Sequence, residues 1–149
     1  SYPAGHLTDR VGRKPLNIIS GILGAFGAFL FVFAKGETLF LAAGLEVIDL
    51  LAYGAVIGLS AGIFLSANWV WAIDLVPQDE AGRYLGISNL ATAGAGVVAG
   101  FVGGPLIDIF NALRPGLGYT ALYLAAVLTF ILGTAFLVKV RETREVAFA

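Results

Sequence analysis

Apolar residues do not alternate with polar ones along this chain; they fill four long windows that contain no Asp, Glu, Lys or Arg. The windows are Pro15–Ala34, Leu50–Ile73, Tyr84–Ile107 and Pro115–Val138, of 20, 24, 24 and 24 residues. About 20 residues of α-helix, rising ~1.5 Å each, cross the roughly 30 Å hydrocarbon core of a bilayer. Each window can therefore span with some length left for tilt. A spanning helix satisfies its own backbone hydrogen bonds in lipid, and the windows are too continuously apolar for barrel strands. The pattern predicts an all-α integral membrane fold with transmembrane helices at about 15–34, 50–76, 84–107 and 116–138. Thr38–Asp49 is apolar but interrupted by Glu46 and Asp49. It reads best as a short external segment leading directly into the second span; an interfacial helix or extra turns of that span are the other readings.

Composition narrows the function classes. Of 149 residues, 58% are apolar and 13% charged, against about 25% charged in a soluble domain. A net charge of −1 leaves no basic surplus for nucleic acid. The absence of cysteine excludes disulfides and thiolate metal sites. His6 is the single histidine, so neither a metal cluster nor a His-based triad is expected, and no enzyme or cofactor site is read here. No methionine occurs, and Ser1-Tyr2-Pro3 lacks the features of a signal peptide, so the chain is expected to be part of something longer.

The distribution of charge adds orientation. Arg10, Arg13 and Lys14 precede the first window, Arg83 lies between the second and third, and Lys139, Arg141 and Arg144 follow the last. Those seven share one side of the membrane, and Lys35 and Arg114 occupy the other. By the positive-inside rule both ends are expected to be cytoplasmic, with the chain in a plasma (inner) membrane.

Small residues suggest how the spans associate, because helices in lipid are held by close approach rather than by apolar burial. Gly54, Gly58 and Gly62 form a row in the second window, and Gly96, Gly100 and Gly104 form one in the third. Ser20, Gly24 and Ala28 make a looser row in the first. The pattern predicts central second and third helices and a peripheral fourth. Such ridges can join helices or let them slide, and the sequence does not separate the two.

A loop then points to a family. Gly5-His6-Leu7-Thr8-Asp9-Arg10-Val11-Gly12-Arg13-Lys14 resembles the signature loop of the major facilitator superfamily, G-x-L-x-D-R-x-G-R-R/K. Gly5, Leu7, Asp9, Arg10, Gly12, Arg13 and Lys14 match every specified position. Glycines permit tight turns at helix ends, Asp9 is an acceptor suited to a helix N-terminus or an arginine, and the basic residues can pair with carboxylates such as Asp74, Asp79 and Glu80. Asp74-Leu75-Val76-Pro77 followed by Gly82-Arg83 resembles a second loop common in these carriers. The resemblance implies the third to sixth helices of a six-helix bundle, with Asp9, Arg13, Asp74, Glu80 and Arg83 at a cytoplasmic gate. An R-x-x-Q-G motif is missing from the second span, and the chain ends eleven residues after Val138. Both favour the C-terminal bundle, although Gly100-x-x-x-Gly104-Pro105 is similar to part of a first-bundle motif in antiporters.

The family layout makes polar and aromatic residues inside the second and third spans the substrate candidates: Asn68, Trp69, Trp71, Asn89 and Thr92. Uncharged hydrogen-bonding and stacking groups suit a neutral polar solute such as a sugar. Trp71 is equally explained as an interfacial anchor, and Asn89 and Thr92 as helix–helix contacts. No window holds a charge, so no coupling carboxylate is visible in them. The reading is a secondary active transporter whose partners are lipid, a small solute and the remaining helices of the same protein. The competing reading is a small four-helix subunit or scaffold that transports nothing. Length favours the subunit, since alternating access needs two bundles, whereas the signature loop favours the carrier.

Overall fold

The computed structural model describes residues 12–42, 45–76 and 78–140, and these fold into four long helices and one small hairpin. Helix α1 runs Arg13–Phe31. Gly12 precedes it at φ 91°, a conformation that favours glycine and accounts for that position of the signature loop. Pro15 falls in the first turn, where its missing N–H removes a donor that has no intrahelical partner anyway. The far end tightens through Val32 N–H to Phe29 O (3.1 Å) and Phe33 N–H to Leu30 O (3.0 Å).

Strands β1, Thr38–Ala42, and β2, Leu45–Ile48, pair antiparallel as the hairpin. The segment is external to the helices and leads directly into α2, but it is neither an interfacial helix nor an extension of the span. Two short runs rich in Leu, Phe, Val and Ile on either side of Ala43-Gly44 fit a pleated pair better than a helix. Asp49, the first residue of α2 (Asp49–Leu75), fastens the hairpin base. Its carboxylate accepts the backbone N–H groups of Lys35 (2.6 Å), Gly36 (2.9 Å) and Leu50 (2.7 Å), while its own N–H donates to Glu37 O (3.0 Å).

A single 3-10 turn, Gln78–Glu80, leads into α3, Ala81–Leu113. At 33 residues, α3 runs past the charge-free window and carries Pro105 and an exposed Asp108 within it. It ends where Pro115 forces the preceding residue out of helical geometry: Arg114 is extended, at φ −157° and ψ 130°. Gly116, at φ 87°, then turns the chain into α4, Leu117–Lys139. Asn111 Oδ1 holds this corner by accepting the N–H groups of Gly116 (3.1 Å) and Gly118 (2.9 Å).

All four helices are long and apolar enough to cross a membrane. Helix α1 lies in the middle, packed on both α2 and α4, and α3 packs on α4. Small residues explain α1's position. A Cβ on Gly21 would meet the Thr134 side chain, one on Gly24 the Phe130 ring, and one on Gly27 the Ile57 side chain at 2.7 Å. By contrast, Gly54, Gly58, Gly62, Gly96, Gly100 and Gly104 have nothing within 4 Å of an added Cβ. The expectation of central second and third helices therefore does not describe the packing among these residues. No residue of α3 is buried.

Candidate functional site

Two features of the bundle bear on function, one at an end and one in the middle. At the end where α1 begins, Lys14 Nζ donates to Val138 O (2.9 Å) and Val140 O (2.7 Å), the closing carbonyls of α4. Arg13 donates through a guanidinium nitrogen to Val70 O in the last turns of α2 (3.3 Å). Helix C-termini present unpaired carbonyls and a partial negative charge, so cations are well placed there. Two basic residues of the signature loop thus tie the start of α1 to the ends of its two neighbours. Glu80 and Arg83 form an ion pair at 3.5 Å. Both are exposed, and the pair adds little stability. Gly5, Leu7, Asp9 and Arg10 lie outside the described residues, as does the side chain of Asp74.

In the middle, residues of all four helices line a cavity of about 730 Å³ that is open to the surroundings. Its wall is apolar except for Asn17, Ser20, Ser60, Asn68, Thr129 and Thr134, and among the described residues no charged side chain lines it. The four hydroxyls already donate. Ser20 Oγ bonds Asn17 O (2.7 Å), and Ser60 Oγ reaches across from α2 to Ser20 O on α1 (2.8 Å). Thr129 and Thr134 donate to carbonyls one turn back on α4, at 2.8 and 2.7 Å. Asn17 is wholly buried; its Nδ2 donates to Arg13 O (2.9 Å), while Oδ1 has no partner among the described residues. An unpaired buried acceptor costs about 1–3 kcal/mol. Asn68 makes no hydrogen bond to the described residues, so its amide supplies an open donor and an open acceptor. The cavity therefore offers uncharged, two-way hydrogen bonding in an apolar shell.

Of the substrate candidates read from sequence, the structure brings Asn68 alone to this lining. Trp71 is buried, with its Nε1–H unpartnered among the described residues, and does not line the cavity. Trp69 is half-exposed on the bundle surface. Asn89 and Thr92 lie on exposed faces of α3, and the Thr92 hydroxyl donates to Ser88 O one turn back (3.0 Å). Asn17 and Ser60 were not among the candidates, and Ser20 was read as packing alone. The available signal was an amide three residues before a serine inside an apolar span, a spacing that puts both on one helix face.

Comparison with known proteins adds the following. The family described as Major Facilitator Superfamily matches residues 1–149, the entire chain. Over 128 residues the chain is 29% identical to the protein named minor myo-inositol transporter IolF of Bacillus subtilis (strain 168). That match covers 86% of this chain and 27% of the relative, so the chain spans about a quarter of the relative's length. No solved structure matches it significantly.

Proposed function

The chain belongs to the major facilitator superfamily, and from that membership we propose that it is part of a secondary transporter for a small, neutral, hydroxyl-bearing solute. The family match over the whole chain carries the proposal of transport. The solute class rests on the uncharged hydrogen-bonding set of the cavity, and a relative named for myo-inositol transport agrees with it.

Transport proceeds by alternating access in this reading. The rest of the carrier supplies the helices that meet the open glycine faces of α2 and α3, where a bare backbone permits close contact. Arg13 and Lys14 hold α1, α2 and α4 together at one end, so these three helices move as a unit. That end faces the cytoplasm of a plasma membrane, as the distribution of Lys and Arg suggests. Asp9 and Arg10, in the same loop, latch that side against the other half of the carrier. A solute hydroxyl exchanges hydrogen bonds with the Asn68 amide, while the apolar wall excludes ions.

Uptake kinetics in the intact carrier, with surface expression measured alongside, test the assignment of Asn68. Asn68→Ala removes one hydrogen-bonding partner and should raise KM for the solute by about five- to tenfold, near 1–1.4 kcal/mol, with little change in maximal rate. An unchanged KM at normal expression removes Asn68 from the pathway.

A further inference from the structure

Among the described residues, the tight contacts of α3 lie in its last third. An added Cβ on Gly103 would meet Leu122 Cδ1 of α4 at 3.4 Å, and Ile107 and Asn111 press against Gly118. Beyond that level the cavity parts the two helices, with Ala99 of α3 on one wall and Ala125, Ala126 and Thr129 of α4 on another. Helix α3 packs on α4 rather than on α2, and residues 81–100 are all exposed or half-buried. Pro105 stands between the fastened and the open part. It has no N–H to give to Phe101 O, and the two glycines before it bring no side chains to brace the turn. Helices bend sharply at such places.

We propose that α3 is hinged at Gly103-Gly104-Pro105 and that its free arm, residues 81–102, closes on α2 across the cavity, bringing Ser88 opposite the Asn68 amide. The faces agree. Ala99, Val102 and Leu106 line the cavity, and steps of three and four carry their row back through Ala95, Thr92 and Ser88, so all six share one side of α3. On the arm that row is mostly small, which lets two helix backbones come close. The levels agree as well. Asn68 stands seven residues before Leu75, the end of α2, and Ser88 seven after Ala81, the start of α3, about 10 Å of helix in each case. Five residues, 76–80, join the two helices, so the start of the arm stays within about 20 Å of the end of α2. Closure would set a second hydrogen-bonding group against Asn68, and Thr92 one turn further in. The Thr92 hydroxyl already donates to Ser88 O (3.0 Å), which leaves its oxygen to accept. What closure does for a solute rests on the transporter reading above; the movement itself does not.

The test uses the full-length carrier, freed of other cysteines, in mild detergent and without solute. Copper–phenanthroline oxidation of the Asn68→Cys/Ser88→Cys variant should form a disulfide, which needs Cα atoms about 4.4–6.8 Å apart. Loss of both thiols to N-ethylmaleimide, read by mass spectrometry, reports it. Asn68→Cys/Leu90→Cys is the control: Leu90 is exposed about 200° round the helix from Ser88, and that pair should join at least tenfold more slowly. Pro105→Ala returns the N–H that Phe101 O lacks and should slow the first pair several-fold. Thiols at 68 and 88 that react with maleimide but never join overturn the closure, as do equal rates for the two pairs. Thiols closed to maleimide before oxidation also overturn it, because another segment then fills the cavity. An unchanged rate in Pro105→Ala refutes the hinge. Monodisperse elution of each variant establishes that it is folded. No solute enters the measurement, so its failure is distinct from a failure of transport.

Discussion

Replacing Gly118 by alanine adds one methyl group at the tightest helix contact that involves backbone on both sides. The new Cβ would lie 2.8 Å from Ile107 Cα, against the Ile107 carbonyl oxygen, and 2.9 Å from Asn111 Cγ. Carbon atoms rest about 3.5–4.0 Å apart, so α3 and α4 must separate by roughly 1 Å to admit it. Backbone cannot swing aside as a side-chain tip can. Overpacking of this kind costs about 1–3 kcal/mol. Separation also stretches the bonds from Gly116 and Gly118 N–H to Asn111 Oδ1, each contributing about 0.5–1.5 kcal/mol. A total near 2–4 kcal/mol lowers the folded-to-unfolded ratio by roughly 30-fold or more. The assay is SDS-titrated unfolding of the full-length protein in mild detergent, followed by far-ultraviolet circular dichroism. Gly133→Ala is the comparison, since an added Cβ there meets nothing within 4 Å and alanine is the better helix former. If Gly118→Ala is as stable as Gly133→Ala, the α3–α4 contact described here is wrong.

Three further outcomes are expected. Lys14→Met removes the donors to Val138 and Val140 O, weakening the end of α4 by about 0.3–2 kcal/mol; amide exchange in its last turn should quicken, and Lys14→Arg should restore part of the protection. Asp9→Asn keeps shape and removes charge, which by about 0.3–2 kcal/mol shifts the access equilibrium from a few-fold to roughly thirtyfold. Maximal uptake rate should fall with solute affinity largely kept, and normal transport at normal expression would reduce the signature loop to a topology signal. Single cysteines replacing Thr8 and Gln78 should react with an impermeant thiol reagent from the cytoplasmic side, and those replacing Gly36 and Gly116 from the other; labelling of Gln78 from outside intact cells would invert the proposed orientation.

The helices were legible because lipid allows few alternatives: a long charge-free window has to be a helix, and charges mark where it can leave. That rule fixed α3 less well. Asp108 is exposed near its end and stops nothing, whereas Pro115, acting on Arg114, does. The hairpin was not legible, since its runs are too short for periodicity to tell strand from helix. Glycine spacing located the packed row of Ser20, Gly24 and Ala28 in α1 but not the other contacts among the described residues. Rows at intervals of four are conspicuous in α2 and α3, yet the close contacts fall at Gly21, Gly24, Gly27 and Gly118. Spacing shows which glycines share a face but not what that face meets. The same holds for the site. Arg13 and Lys14 stood out through their motif and Asn68 through polarity, while the partners they find depend on which helices adjoin. Asn17 was overlooked because a lone amide inside a span gives little indication that it is wholly buried with one unpaired oxygen.

Solute counterflow tests the proposal of carriage by alternating access most directly. The whole carrier is reconstituted in proteoliposomes preloaded with an unlabelled neutral polyol or sugar, myo-inositol among them, and labelled solute is added outside at trace concentration. A carrier that exposes one site to each side in turn gives transient accumulation of label above its equilibrium level for at least one such solute, saturable and competed by its analogues. Linear, unsaturable entry without overshoot across the whole panel, from protein that is folded and correctly inserted, would contradict it.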